Sequence, residues 1–288
     1  LSNIMKLLCT IIIICTTTFS AYSQYNPGAK QISLSNSDVA LSNDVFSLFN
    51  NPAGLSQMNW REIGVYYSPA PFGLSELANG YVAYHEPTSI GSFAIGGMSY
   101  GFDLYRESKF TLGYSYNYLN KFFAGAAINY QTVSIQNYGS DGAIFLNIGG
   151  LAYISNYFRL GFSIQNINRA TFGDEDDQIP MIFNTGLSYD VVDELTMNFA
   201  VEKDIKYKAS FQFGINYDII EYLSLRVGFS NEPSKYSAGI GINYSMFSLD
   251  YAMFTHNDLG LTHQAGVIIS FGRELDRNKT IRENLGLE

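Results

Sequence analysis

Asp174, Glu175, Asp176 and Asp177 form a dense acidic run, and clustered carboxylates are what a hard cation such as calcium takes as ligands. The run lacks the alternating spacing of a calcium loop, so a solvated, self-repelling loop is the expected role. His85, His256 and His263 are the 3 histidines, and a nucleophilic serine would need one of them as base and a third group to orient it. No motif marks such a serine. The chain is therefore read as non-enzymatic, with no catalytic residue, metal site or cofactor. Arg159, Glu202, Arg226 and Asp250 stand singly among apolar and small residues and are candidates to face an enclosed lumen. Where water is excluded such charges need partners, so they serve either as mutual ion pairs or as a constriction that selects ions.

One stretch has a different chemistry. In "NDVFSLFNNPAGLS" (43–56), Asn43 or Asp44 can cap a short helix by accepting its free backbone N–H groups. Val45, Phe46, Leu48 and Phe49 supply a compact apolar face, and Pro52 and Gly54 are expected to end the helix. What these residues do depends on the elements that hold them.

Those elements begin after a leader. Met5-Lys6, an apolar run from Leu7 to Ile14, and Ala21-Tyr22-Ser23 before Gln24 make residues 1–23 a secretory signal peptide, cleaved and too short to span a bilayer. Both cysteines, Cys9 and Cys15, lie in it, so the mature chain is read as free of disulfides and cysteine metal sites. The net charge of −9 argues against nucleic acid, which recruits basic surfaces. Charged residues make up only 15% of the chain, beside 22 Tyr, 21 Phe and 26 Gly. A secreted, aromatic-rich, charge-poor chain without a long apolar helix points to an outer-membrane β-barrel.

Periodicity agrees. In "KASFQFGINYDII", Ala209, Phe211, Phe213, Ile215, Tyr217 and Ile219 alternate with Ser210, Gln212, Gly214, Asn216 and Asp218. Successive side chains of a strand face opposite ways, so one face is apolar and the other polar or small. Aromatic residues gather at strand ends, as at Tyr157 and Phe158, Tyr217 and Tyr222, and Tyr236 and Tyr244, where membrane interfaces place them. Such segments fall near 60–68, 79–86, 92–103, 109–118, 122–137, 143–154, 157–168, 181–191, 195–204, 209–219, 223–231, 236–245, 247–255 and 261–272. This all-β pattern is an antiparallel up-and-down barrel of about 14 strands. Glycines in "GFSIQN" and "IGINYS" are expected to permit close packing against something inside it.

The connections alternate between tight ones, such as Leu119-Asn120-Lys121 and Ser155-Asn156, and longer ones, such as "NYGSDG", "RATFGDEDDQIP", "NEPSK" and "HNDLG". Short turns belong to the periplasmic side, which places both termini there; "EPTSIG" (86–91) is the exception, a long connection on the short side. Residues 24–59 precede the barrel at 60–272. Residues 273–288 follow as a charged periplasmic tail, expected to be a frayed helix or a docking element.

Here a family resemblance enters. "SNSDVALSNDVFSLFNNPAGLS" resembles the N-terminal signature of the FadL-like outer-membrane proteins, in particular the PorV/PorQ branch associated with the type IX secretion system of Bacteroidota. A small residue, Ala40, then Asp44, then Asn51-Pro52-Ala53-Gly54-Leu55 carry the likeness, and "GLTH" (Gly260 to His263) resembles the stretch before that branch's last strand. The related PorP/SprF family carries an Asn-Pro-Ala-Tyr-Ala-Gly version of the motif. The resemblance implies a barrel with the N-terminal segment folded in as a hatch, its motif made of Asp44, Phe46, Phe49, Asn51, Pro52, Ala53, Gly54 and Leu55. A helix lying against the periplasmic rim is the other reading of that segment. The resemblance also implies a non-enzymatic subunit of a secretion or surface-attachment assembly. The alternatives are a channel for small hydrophobic molecules and a structural anchor. Expected partners are outer-membrane lipids, lipopolysaccharide among them, and a larger outer-membrane or periplasmic protein.

Overall fold

Strands rich in Tyr, Phe, Ile and Val with Gly, Ser and Asn between them can satisfy their backbone groups in a bilayer only by pairing all round, because a free edge would leave N–H and C=O groups in hydrocarbon. The computed structural model, which describes residues 27–173, 177–256, 259–272 and 276–287, shows this solution. The 14 barrel strands are antiparallel and closed. In chain order they are β1 (Arg61–Ser68), β2 (Asn79–Thr88), β3 (Gly91–Phe102), β4 (Tyr105–Tyr118), β5 (Phe122–Ile135), β6 (Gly139–Ser155) and β7 (Phe158–Gln165). There follow β8 (Ile182–Val192), β9 (Leu195–Asp204), β10 (Ser210–Ile220), β11 (Leu223–Asn231), β12 (Ser234–Tyr244), β13 (Phe247–His256) and β14 (Gly260–Phe271). Each strand pairs with the next, and β1 closes on β14 from Arg61↔Phe271 to Tyr67↔Ala265. Among the described residues no helix is long and apolar enough to cross a membrane; the strands are what cross.

The burial pattern is that of a soluble protein turned inside out. Outward positions such as Val65, Val82, Leu112, Ile128 and Val227 are exposed and apolar, while Glu62, Thr111, Asn129, Asn198 and Gln264 are buried inside. Tyr217, Tyr222, Tyr236 and Tyr244 all face outward near strand ends. The end of the barrel where residues 61 and 271 lie, called the near end, has turns as short as Ser245-Met246 and Glu221-Tyr222.

Three expectations need correction. "EPTSIG" is not a long connection: Glu86 and Pro87 continue β2, Pro87 pairs with Ser92, and the turn is Ser89-Ile90 alone. A proline is accommodated there because it sits near the strand end, where little ladder remains to lose. "NEPSK" likewise shrinks to Glu232-Pro233. The tail is not frayed. Helix α2 (Arg277–Leu285) is capped by Asp276, which accepts from Lys279 N at 2.9 Å, and it buries Ile281, Leu285 and Leu287 against the near end. The leader, the acidic residues 174–176 and Asn257-Asp258 lie outside the described residues, and so does Leu275.

Candidate functional site

Residues 27–59 run inside the barrel and are buried almost throughout. They begin with a short helix, α1 (Ala29–Ser33), cross the lumen, and end in two 3-10 turns. Asp44, not Asn43, caps the first turn (Val45–Leu48): its Oδ1 accepts from Phe46 N at 3.0 Å. Its Oδ2 accepts from Lys30 Nζ at 3.0 Å and Gln31 Nε2 at 2.8 Å. Burial opposes ionisation of Asp44, yet Lys30 and Arg277 hold its carboxyl below the usual carboxylate range. Pro52 does not end a helix; it opens the second turn (Pro52–Gln57), the first-turn position where a missing N–H costs nothing. Asn51 caps that turn through Ala53 N at 3.2 Å and donates from Nδ2 to Val39 O and Gly150 O, at 2.8 and 3.2 Å. Gly54 is there for space, since a Cβ would sit 1.9 Å from the Ser42 carbonyl oxygen.

The apolar members fill one side. Phe46 and Leu55 are fully buried, and Phe49 stacks edge-on against Tyr81 at 5.1 Å with Lys109 Nζ 5.6 Å from its ring. Val45, Phe46, Leu48, Phe49 and Leu55 share a core with Tyr66, Tyr81, Met98, Phe123 and Leu151 of β1 to β6. Each such burial stabilises by about 1.5–3 kcal/mol. The wall makes room with inward glycines. A Cβ on Gly96 would lie 2.6 Å from Phe49, and one on Gly125 2.4 Å from the Pro52 carbonyl carbon. One on Gly161 would lie 2.6 Å from Ala40 Cα, so the glycine of "GFSIQN" does admit the plug. That of "IGINYS", Gly241, leaves space for a charged pair instead, since a Cβ there would stand 2.4 Å from Arg226 Nη2.

All four single charges point inward. Arg159 pairs with Asp190 at 2.5 Å on the neighbouring strand β8, and Arg226 pairs with Asp250 at 2.5 Å across two strands. Glu202 is buried on β9 beside Asn184 and Ser210. The structure therefore brings two of them into a pair with each other and one into a pair with Asp190.

Two hubs escaped the sequence reading. Glu62, with no exposed surface, accepts from Val45 N at 3.0 Å, Trp60 Nε1 at 2.8 Å, Ser270 Oγ at 2.7 Å and Arg277 Nη1 at 2.7 Å. Plug, barrel seam and tail thus meet on one carboxylate. Asp190 accepts from Arg159, from Thr196 Oγ1 at 2.9 Å and from Arg282 Nη1 at 3.1 Å, and Arg282 also reaches Asp193 at 2.6 Å. Arg277 lies over Trp60 and Arg282 over Tyr157, at 5.8 and 5.2 Å. Helix α2 is a crossbar over the near mouth. Strand parity could have flagged Glu62, because it shares the inward side of β1 with Gly64, Tyr66 and Ser68.

The histidines are dispersed. His85 is buried with Nδ1 3.0 Å from Trp60 O, His263 Nδ1 lies 2.5 Å from Tyr251 Oη on the outer face, and His256 packs on Phe72. Among the described residues no group of three or more His, Cys, Asp or Glu could hold a metal ion.

Residues 91–270 match the model of a family described as type IX secretion system membrane protein PorP/SprF. The match starts after the hatch motif and so leaves Asn51 to Leu55 untouched. Among solved structures, the toluene transporter TbuX of Ralstonia pickettii is similar at TM-score 0.63 and 12% identity, covering 87% of this chain and 98% of that one. A FadL homologue of Pseudomonas aeruginosa is similar at TM-score 0.58 and 10% identity, covering 85% and 97%. At such identities the likeness establishes the FadL-like fold, as the N-terminal residues had suggested. No curated protein sequence matches the chain.

Proposed function

Because the chain belongs to the PorP/SprF family of type IX secretion system membrane proteins, we propose that it is a non-enzymatic barrel subunit of a protein secretion or surface-attachment assembly. The single observation that carries this reading is the filled lumen: residues 27–59 occupy it and α2 crosses its mouth. A barrel closed in this way offers surfaces rather than a bore. The barrel sits in the bacterial outer membrane with both termini in the periplasm, its aromatic belt against lipid, including lipopolysaccharide. Its partner is a larger outer-membrane or periplasmic protein that contacts the outer wall or the exposed side of α2, where Lys279, Glu283 and Asn284 lie. Extraction from native membranes in gentle detergent should recover it in a complex, and its deletion should impair secretion. A lone barrel with secretion intact would sink the proposal.

The second reading, a channel for small hydrophobic molecules, is favoured by the aromatic patch of Phe49, Tyr66 and Tyr81 on the plug's apolar side. Uptake of toluene by liposomes carrying the protein with and without residues 24–59 tests it, since a gating hatch changes uptake and a structural plug does not.

A further inference from the structure

The far rim of the barrel, opposite the near end, carries mainly acidic exposed charges: Glu76, Asp103, Asp141 and Glu232, against Arg106 and Arg169. One stretch departs from this. Across the connection from β9 to β10, "KDIKYK" (203–208) holds three lysines, Lys203, Lys206 and Lys208, against one acid, Asp204, a net +2 in a chain of −9. All three lysines are exposed, and none forms an ion pair with another described residue. Asp204 is engaged with the backbone instead. Its Oδ1 accepts from Lys206 N at 2.9 Å, and Tyr207 N donates to Asp204 O at 3.3 Å, which folds the stretch into a tight turn. Lys203 Nζ donates to the Tyr207 carbonyl, so this amine is held against the same turn.

The turn sits at the margin of an aromatic surface. Lys203 faces outward on β9, directly opposite the outward-facing Phe183 of β8. Next to them on the outer wall Phe199 and Phe211 stack, with centroids 6.4 Å and planes 28° apart, and Ile205 beside the lysines is exposed. Cations at the upper edge of a lipid-facing aromatic patch stand at headgroup depth, their stems along apolar side chains and their ammonium groups beyond the hydrocarbon. We propose that Lys203, Lys206 and Lys208, with Phe183, Phe199 and Phe211 below them, form a binding site for lipopolysaccharide of the outer leaflet. The lysines hold a phosphate of its lipid A and the aromatic side chains meet its acyl chains. An ammonium group serves a phosphate oxygen as a point charge. An acidic segment of a protein would answer the charge but not the apolar surface directly beneath it. The inference rests on the reading above that the near end is periplasmic, which sets the far rim in the outer leaflet, and it is independent of membership in a secretion assembly.

The full chain in detergent is titrated with rough lipopolysaccharide, with the same material dephosphorylated, and with a polyglutamate peptide. Dephosphorylation should weaken binding to wild type by about a hundredfold, K203Q/K206Q/K208Q should lose as much, and each single change should lose about fivefold. Added salt should weaken wild-type binding in the same direction. Lys121→Gln, in the exposed near-end turn between β4 and β5, should bind as wild type. The three lysines are exposed, so the triple variant should keep the wild-type unfolding midpoint. Tyr138→Cys reports the orientation: Tyr138 is 89% exposed beyond the end of β5, and Cys9 and Cys15 both lie in residues 1–23. An impermeant maleimide should label this variant on intact cells above the background of the unmodified chain. No labelling would overturn the orientation and the inference with it. Labelling together with equal binding by wild type and the triple variant, equal losses in the triple variant and Lys121→Gln, indifference to dephosphorylation, or preference for polyglutamate would overturn the inference alone.

Discussion

Glu62 and Arg277 are the residues on which plug, barrel seam and tail converge, and their energetics are lopsided. Glu62 is fully buried and Arg277 partly so, which makes loss of the cation the costlier change. Removing one partner of a buried pair leaves an uncompensated charge and costs about 3–5 kcal/mol, so Arg277→Ala should lower the unfolding midpoint in detergent well below wild type. Glu62→Gln, which leaves the partly hydrated Arg277, should cost roughly 1–2 kcal/mol. Equal effects would show that Arg277 does not neutralise Glu62. A second residue-scale prediction concerns Asp38. Burial pushes its carboxyl up to about 6 from 3.8, with the Asp44 charge adding and Lys30 and Gln31 opposing. A folded-state value above the unfolded one means that the buried form is favoured when protonated. That stabilisation is fully present below pH of about 4 and is lost as pH rises through about 6. Amide exchange of 34–42, corrected for the intrinsic pH dependence of exchange, should therefore quicken between pH of about 4 and about 7 in wild type, and Asp38→Asn should flatten the dependence.

At the scale of elements, the wall and plug are fitted to each other through glycine. Gly96 and Gly97 are adjacent on β3 and point opposite ways. A Cβ on Gly96 would press on Phe49, Leu48 and the Val82 carbonyl at 2.6–2.9 Å, whereas one on Gly97 would meet nothing closer than 3.7 Å. Gly96→Ala should then cost about 1–3 kcal/mol by overpacking and make residues 45–58 more accessible to protease, while Gly97→Ala should be neutral. Helix α2 belongs to this scale too. Its charged sequence reads as a frayed helix or a docking element, but Arg277 and Arg282 find buried acids on opposite sides of the mouth, and that is invisible without the barrel's curvature.

At the scale of the whole molecule, bilayer and lumen impose opposite demands on alternate residues. Leu112 and Tyr118 both face outward from β4, one at mid-strand and one at its near end. Leu112→Arg should cost about 2–4 kcal/mol in lipid and Tyr118→Arg about 0–1, measured by reversible unfolding from vesicles. Similar costs at both sites would mean that the belt lies elsewhere on the wall.

The barrel was legible in the chain before any contact was known. Period-two alternation, interfacial aromatics and turn spacing are local signals, and strand positions read from them match closely, although β4 and β6 start earlier, at Tyr105 and Gly139, and β7 ends earlier, at Gln165. The chain also narrowed the cap of the short turn to Asn43 or Asp44, of which the structure uses Asp44, and strand parity is why Arg159, Glu202, Arg226 and Asp250 share the inward side. Which charges meet, where α2 docks, and that one side of the plug meets an apolar wall and the other a polar one all follow from the closed ring. Those facts depend on residues brought together around a closed ring, such as Ser35 with Ser237 or Glu62 with Arg277, and no local pattern in the chain encodes a contact across such separations.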